Sequence, residues 1–217
     1  MSTEKISRAE HAYQQLIESI HSGELKPGSR IRETEIAEWL QISRTPIREA
    51  LLRLESEGLL CTAPRKGLIV SELDYQAVME LYQMREVLEA TAAGLAAKHA
   101  SEAEVYALKE MISQQKTSLG DTRTQSAQNR DFHNALYHAA HNRYLLRSLN
   151  SLRDAMSLLG KTTYEVPNRD KTACEEHERI VAAIEKGDIE SAEHHAREHI
   201  KSAQRARIQL INTERNA

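Results

Sequence analysis

Three histidines occupy positions that helical periodicity assigns to the apolar faces of three different helices. His133 belongs to one helix in the second half of the chain, and His177 and His199 belong to two later ones. Imidazole nitrogens that converge from separate helices can bind one divalent metal ion, with a carboxylate, carbonyl or water completing the coordination shell. Asn129, one turn before His133, could add an amide oxygen. The pattern predicts a buried metal site, and the alternative is that each histidine is a hydrogen-bonded core residue.

A charged pair falls within the apolar stripe of an earlier helix. Arg85 and Glu89 lie on the same face as several leucines and alanines of the helix that starts near residue 74. A guanidinium group that faces a core needs a partner, because an unpaired buried charge costs several kcal/mol. Glu89, four residues on, is one candidate partner. A bound carboxylate or phosphate is the other, because its oxygens match the guanidinium fork.

A third group of chemically capable side chains lies in residues 42–54, ISRTPIREALLRL. Its apolar residues recur at intervals of three and four, as on a helix docked against a core, and Arg44, Thr45 and Arg48 fall on the other face. We expect Thr45 to be the N-cap and Pro46 the first helical residue. Arginines and a hydroxyl at the exposed start of a short helix suit insertion into a DNA groove. The stretch therefore predicts a DNA-recognition helix.

The elements around this helix are typical of a small DNA-binding domain. Apolar stripes and turn residues predict two earlier helices, two later strands and the basic turn that joins the strands, at about 8–22, 34–40, 60–63, 68–71 and 64–67. Three helices followed by such a hairpin make a winged helix-turn-helix. We place this DNA-binding domain at residues 1–70.

The rest of the chain has a different character. Three of the four prolines and four of the eight glycines precede residue 70, and the next proline is Pro167. After a linker at 71–75, apolar periodicity predicts six helices, at about 74–98, 102–117, 123–141, 143–160, 169–186 and 188–212. We therefore predict a mainly α fold, in which the winged domain is followed by an all-α bundle of about six helices over residues 76–217.

Composition limits the classes of function. The net charge is −3, and residues 1–70 contain ten basic and ten acidic residues. DNA affinity must therefore depend on local clusters of positive charge rather than on an overall basic domain. Two widely separated cysteines favour reduced thiols over a disulfide framework. The first residues lack an apolar signal segment, and no stretch approaches 18 uninterrupted apolar residues, so we expect a cytoplasmic protein without a membrane partner.

The chain resembles the GntR family of bacterial transcription regulators, in the FadR-type branch with an FCD effector domain. The N-terminal resemblance is carried by GELKPGSRIRETEIAEWLQISRTPIREALLRLESEGLL and the basic turn that follows it. The C-terminal resemblance is carried by LYQMREVLE, NRDFHNALYHAAHN and EEHERIVAAIEKGDIESAEHHAREHI. Together these segments cover nearly the whole chain.

The resemblance implies a function for particular residues. In the DNA-binding domain it implies contacts to bases and phosphates from the recognition helix and from the wing tip, by Ser43, Arg44, Thr45, Arg48, Arg65, Lys66 and Gly67. Such regulators bind palindromic operators as homodimers. In the second domain the resemblance implies a divalent metal ion, with zinc as the first choice and nickel or manganese as alternatives, held by Asn129, His133, His177 and His199.

Asn129 departs from the family pattern, because many relatives have an aspartate there. The resemblance also makes Arg85 an effector-contacting residue, and the effectors it implies are small organic acids. We therefore expect a transcription regulator whose operator affinity is controlled by such an acid bound beside the metal.

Two other functions compete with this one. The first is a constitutive DNA-binding dimer whose metal site is only structural. The second is a three-histidine metalloenzyme. HExxH is absent, and the single ExxH match, Glu18 to His21, lies on the first helix, so the motifs of helical metalloenzymes are missing. We therefore predict that the protein is not an enzyme.

Overall fold

The computed structural model describes residues 7–215 and divides the chain into two compact units. The first comprises Met1–Gln76 together with Arg153–Gly160, and the second comprises Ala77–Leu152 together with Lys161–Ala217. The inclusion of Arg153–Gly160 in the first unit is a feature that sequence periodicity does not indicate. In the described part of the chain, none of the helices combines the length and the apolar character needed to cross a membrane.

The first unit is a winged helix-turn-helix. Its elements are α1, α2, α3, β1 and β2, at Arg8–His21, Glu33–Leu40, Arg44–Ser56, Leu60–Ala63 and Gly67–Val70. The two strands pair antiparallel, with Leu60 opposite Val70 and Ala63 opposite Gly67. Arg30 forms one further antiparallel bridge to Ile69. Apolar faces of the three helices and the inner side of the hairpin form one core, so α3 is held with its N-terminal side exposed.

The start of α3 differs from the sequence-based expectation. Ser43 is the N-cap, with extended backbone angles, and α3 begins at Arg44 rather than at Pro46. Proline is tolerated there because the first turn of a helix has no intrahelical partners for its N–H groups. Pro46 therefore indicates that a helix begins nearby, but not which residue is the first. Gln41, in the left-handed conformation (φ 55°), turns the chain between α2 and α3.

The second unit is a bundle of long helices. In the described residues these are α4, α5, α6, α7, α8 and α9, at Tyr75–His99, Glu102–Thr117, Thr122–Ala139, Arg143–Ser157, Arg169–Glu185 and Ile189–Arg215. A short 3-10 turn, Thr163–Glu165, lies between α7 and α8. The predicted fold class, a winged domain followed by about six helices, is confirmed. Helix α7 ends three residues earlier than predicted, because the chain turns after Ser157 and reaches Gly160 at φ +70°.

Small side chains let the helices of the second unit approach closely. Alanines dominate its core, and five of them are fully or nearly fully buried on α4 and α9 at Ala90, Ala92, Ala93, Ala96 and Ala192. A Cβ atom at Gly94 would lie 2.7 Å from the side chain of Glu193, so a larger residue there would require that side chain to shift. Helix α8 packs against α5 and α9, and α6 packs against α5. This packing surrounds the polar residues described next.

Candidate functional site

The second unit brings His133, His177 and His199 together. They come from α6, α8 and α9, all three are buried, and one ring nitrogen from each lies within 4.8 Å of the others. The Nε2 atoms of His133 and His199 are 3.2 Å apart. The convergence predicted from three separate apolar stripes is therefore present, whereas metal binding by the cluster stays a prediction.

Each histidine meets an oxygen through its outer nitrogen, Nδ1. His133 Nδ1 lies 2.9 Å from Glu89 Oε2, His177 Nδ1 lies 2.9 Å from Gln115 Oε1, and His199 Nδ1 lies 2.8 Å from Glu176 Oε2. Carboxylate and amide oxygens accept hydrogen bonds, so the Nδ1 atoms of His177 and His199 carry the proton and their Nε2 atoms carry a lone pair. This arrangement orients the rings in the way that metal-binding histidines are commonly oriented.

The inward nitrogens suit a cation. His177 Nε2 is buried and has no hydrogen-bond partner among the described residues. The Nε2 atoms of His133 and His199 lie 3.2 Å apart, an approach that a shared proton or a metal ion stabilises. Three imidazoles whose ring nitrogens lie this close together match the donor set of zinc and related ions. The residues present therefore fit a divalent metal ion.

Burial keeps the imidazoles of His177 and His199 neutral. It lowers the pKa of His177 and of His199 well below the ordinary histidine value, and the neighbouring histidines lower both pKa values further. A neutral imidazole is the form that coordinates a metal. At neutral pH His177 and His199 are therefore already in the protonation state that binds metal.

Two arginines hold the carboxylates that contact the histidines. Arg85 donates from Nε to Glu89 Oε1 at 2.7 Å, and Arg169 donates from Nη1 to Glu176 Oε2 at 2.8 Å. Burial opposes ionisation of Glu89, but the charge of Arg85 and the contact with His133 outweigh it and hold the pKa of Glu89 below its usual range. The site therefore contains two parallel arginine–carboxylate–imidazole series. The Arg85–Glu89 pair considered from the sequence is present, which leaves effector binding by Arg85 as a prediction.

Asn129, the fourth predicted metal ligand, has a side-chain contact of its own. Tyr164 donates from its hydroxyl to Asn129 Oδ1 at 3.0 Å. Tyr164 lies in the 3-10 turn Thr163–Glu165, and burial raises the pKa of its hydroxyl, which stays protonated. The amide oxygen of Asn129 therefore has a hydrogen-bond donor before any metal binds.

The recognition helix presents its predicted residues to solvent. Ser43, Arg44, Thr45 and Arg48 are all exposed at the start of α3. Glu33, at the start of α2, accepts hydrogen bonds from Arg44 Nε at 2.9 Å and from Arg48 Nε and Nη2 at 3.2 Å each. The hydrogen bond from Arg44 is the main effect that lowers the pKa of Glu33. One carboxylate therefore orients both arginines of α3 that the sequence predicts to contact DNA.

The wing tip is a basic, exposed turn. Arg65, Lys66 and Gly67 are exposed, and Arg65 and Gly67 have positive φ angles of 64° and 75°. Arg30 lies beside them, with its Nη2 atom 4.0 Å from the position of a Cβ on Gly67. The wing therefore presents three cations, two of which were predicted as contacts to DNA.

Sequence reasoning missed several residues that position these sites. In the first unit this residue is Glu33, which contacts both arginines of α3. In the second unit the residues are Gln115, Tyr164, Arg169 and Glu176. Glu176 immediately precedes His177 along α8, so periodicity alone does not predict that it contacts His199 on another helix. The one available signal was that Arg169 and Glu176 are charged residues seven apart, a spacing that places both on one helical face.

Comparison with known proteins extends this description to the whole chain. Residues 8–70 match the family model of bacterial regulatory proteins of the gntR family, and residues 80–202 match the FCD domain. The uncharacterized HTH-type transcriptional regulator YdhC of Bacillus subtilis (strain 168) is 34% identical over 190 residues, covering 86% of this chain and 85% of YdhC. The HTH-type transcriptional regulator McbR of Escherichia coli K12 is 32% identical over 176 residues, covering 79% and 80%. The solved structure of E. coli McbR/YncC matches with a TM-score of 0.82, at 27% identity, over 95% of this chain and 100% of that one.

A winged helix-turn-helix joined to a helical domain, shared with relatives of this kind, defines a DNA-binding transcription regulator and not an enzyme. The chain belongs to the GntR family of bacterial transcription regulators, and its second domain is an FCD domain. The family predicted from the sequence is thereby confirmed, as is the prediction that the protein is not an enzyme. The contacts of individual residues with DNA, metal and effector stay predictions.

Proposed function

We propose that this regulator binds a palindromic operator as a homodimer, and that a small organic acid held beside a divalent metal ion controls its affinity for DNA. The observation that carries the proposal is the histidine cluster, in which every Nδ1 faces an oxygen acceptor and the Nε2 atoms face inward. Zinc suits three imidazoles best, and nickel or manganese are the alternatives. Because its target is bacterial DNA, the protein acts in the cytoplasm.

The charge of the site favours an anionic effector. Arg85 and Glu89 balance each other, as do Arg169 and Glu176, and His177 and His199 are neutral. The amide of Asn129 adds no charge. A divalent ion bound by these residues keeps its full positive charge in a buried environment, where an unpaired charge is costly. A carboxylate is the ligand that neutralises it, and the metal supplies the Lewis-acid site that holds the carboxylate.

Arg85 is positioned to orient such an acid. Its Nε donates to Glu89 Oε1, and its guanidinium carbon lies 5.0 Å from the centroid of the Tyr82 ring. The guanidinium fork matches the two oxygens of a carboxylate. An acid that changes DNA affinity must bind one arrangement of the DNA-reading heads more tightly than the other. The operator response is therefore a population shift that the acid drives.

A thermal-shift screen of small carboxylic acids tests this proposal. On the zinc-loaded protein, an acid present at about a hundred times its Kd should stabilise the fold by about 2.7 kcal/mol, a shift of several degrees in the unfolding midpoint. Arg85→Lys keeps a charge beside Glu89 but lacks the fork, so it should lose most of the acid-induced shift and keep the zinc-induced shift. An acid-induced shift that is the same with and without zinc, and the same in Arg85→Lys, would contradict the proposed site. Zinc binding without any acid response would support a constitutive DNA-binding dimer with a structural metal.

Replacing Asn129 with aspartate should tighten metal binding. A carboxylate adds negative charge to a neutral ligand set and is a stronger ligand than an amide oxygen. We expect the zinc Kd, measured by competition with a chelating dye, to fall at least about tenfold, equivalent to about 1.4 kcal/mol. Ser126→Asp places the same charge one turn earlier on α6 and controls for long-range attraction. Equal tightening in both variants, or a weaker site in Asn129→Asp, would show that Asn129 is not a ligand.

A further inference from the structure

Residues 161–168, here called the connecting segment, join the end of α7 to the start of α8. The Thr163–Glu165 turn within it packs against α6, α8 and α9. Arg207, buried on α9, donates from Nη2 to the carbonyl oxygen of Lys161 at 2.6 Å, and the Thr162 hydroxyl accepts from the backbone N–H of Tyr164 at 3.3 Å. The connecting segment is therefore an ordered part of the second unit.

The connecting segment contacts the candidate metal site at two places. Tyr164 is 9% exposed, and its hydroxyl donates to Asn129 Oδ1 one turn before His133. At the other end, Asn168 adopts φ +63° and leads into Arg169, the first residue of α8. Arg169 shares Glu176 Oε2 with His199. The segment therefore contacts Asn129, one helical turn from His133. The residue that follows it, Arg169, is linked to His199 through Glu176.

The residues immediately before the connecting segment belong to the DNA-binding unit. Arg153–Gly160 is part of the first unit, and Leu158, 5% exposed, is a member of its apolar core. Asp154 Oδ1 lies 3.1 Å from His21 Nε2, at the end of α1. A single peptide bond joins this docked stretch to Lys161. Tyr164, which contacts Asn129, is therefore only four residues beyond the last residue of the DNA-binding unit, Gly160.

We infer that the connecting segment reports metal occupancy of the histidine cluster to the DNA-binding unit, and that the hydrogen bond from Tyr164 to Asn129 is the contact that responds. This inference rests on the proposed metal site and adds its route of regulation. When Asn129 Oδ1 gives a lone pair to a metal ion, it becomes a weaker acceptor for the hydroxyl. Metal binding and the Tyr164 contact therefore oppose each other, and by linkage each weakens the other equally.

Backbone hydrogen exchange on the full chain tests the inference, with Zn²⁺ alone as the probe. Saturation with zinc should speed exchange over residues 161–168 by at least about threefold, with a concerted change over Arg153–Gly160, relative to amides of α5 as an internal reference. Tyr164→Phe should exchange rapidly over 161–168 before zinc is added, and zinc should cause no further change. Loss of one hydrogen bond of ordinary strength should also tighten its zinc Kd about fivefold. Tyr106→Phe, which removes an exposed hydroxyl from α5, should behave like the unmodified chain.

The outcomes separate the inference from the function on which it rests. If elemental analysis finds no bound zinc, the metal site and the inference both fail. If zinc binds but exchange over 161–168 does not accelerate, the inference alone is wrong. A response confined to 161–168, with Arg153–Gly160 unchanged, overturns the transmission to the DNA-binding unit. An equal effect in Tyr106→Phe shows that the Tyr164 contact is not the responsive one.

Discussion

Replacing Arg48 with alanine is expected to abolish sequence-specific operator binding and to leave the fold intact. Arg48 is exposed on α3 and is held by Glu33 rather than by the core. An arginine fork on a guanine edge contributes about 1–3 kcal/mol of discrimination, and a homodimer loses this contact at both half-sites. The affinity for an operator duplex, selected from random sequence with the unmodified protein, should fall at least about thirtyfold. Fluorescence anisotropy against that duplex and a scrambled one measures the loss.

Arg53→Ala is the matched control for Arg48→Ala. Arg53 lies on the same helix, and its replacement removes the same charge. Its native side chain, however, stacks over Tyr13 and pairs with Glu10 and Glu57. Its operator affinity should stay within about threefold of the unmodified value, because a surface ion pair contributes little. Operator binding that survives in Arg48→Ala, or that falls equally in both variants, would remove α3 as the reading element.

Replacing His177 and His199 together with alanine is expected to empty the metal site. The change removes two of the three inward nitrogens and leaves His133 alone, and one neutral imidazole does not hold zinc tightly. Zinc per chain, measured by elemental analysis after dialysis, should fall from about one to below about one tenth. Both side chains are buried, so some loss of packing stability accompanies the change.

His194→Ala is the control for the double replacement. His194 lies on α9, close to His199 in sequence, but it is exposed and outside the cluster. Its zinc content should equal that of the unmodified chain. Circular dichroism separates emptying of the site from unfolding, because a folded double variant without zinc supports the ligand assignment. A folded double variant that retains its zinc would show that the ligands are elsewhere.

The helices and the wing could be predicted because their signals are local. Apolar spacing fixes which face of α1, α3 or α8 is buried, and the turn residues of 64–67 define the hairpin. The end of α7 could not be predicted in the same way. Its apolar pattern continues to Leu158 and Leu159, but Leu158 is buried in the core of the first unit after the helix has ended. Apolar spacing shows that Leu158 is buried, but it does not show in which of the two cores.

The candidate site likewise has a part that local signals predict and a part that depends on long-range packing. His133, His177 and His199 could be predicted because each is a polar residue within an apolar stripe, a local anomaly that helical spacing reveals. Their oxygen partners could not, because those contacts join different helices and depend on how the helices pack. Gln115 meets His177 across 62 residues of chain, and periodicity treats it only as another polar position on α5. The contact between Tyr164 and Asn129 could not be predicted for the same reason.

Glu33 gives the DNA-reading surface a property that matters before any operator is found. One carboxylate faces two guanidinium groups, so the exposed start of α3 presents one net positive charge instead of two. Affinity for random DNA comes from positive charge and from the counterions that it displaces. Because a genome offers a vast excess of such sites, each regulator molecule spends most of its search on wrong sequences. We therefore expect partial neutralisation by Glu33 to weaken binding to random DNA and to shorten each of these encounters.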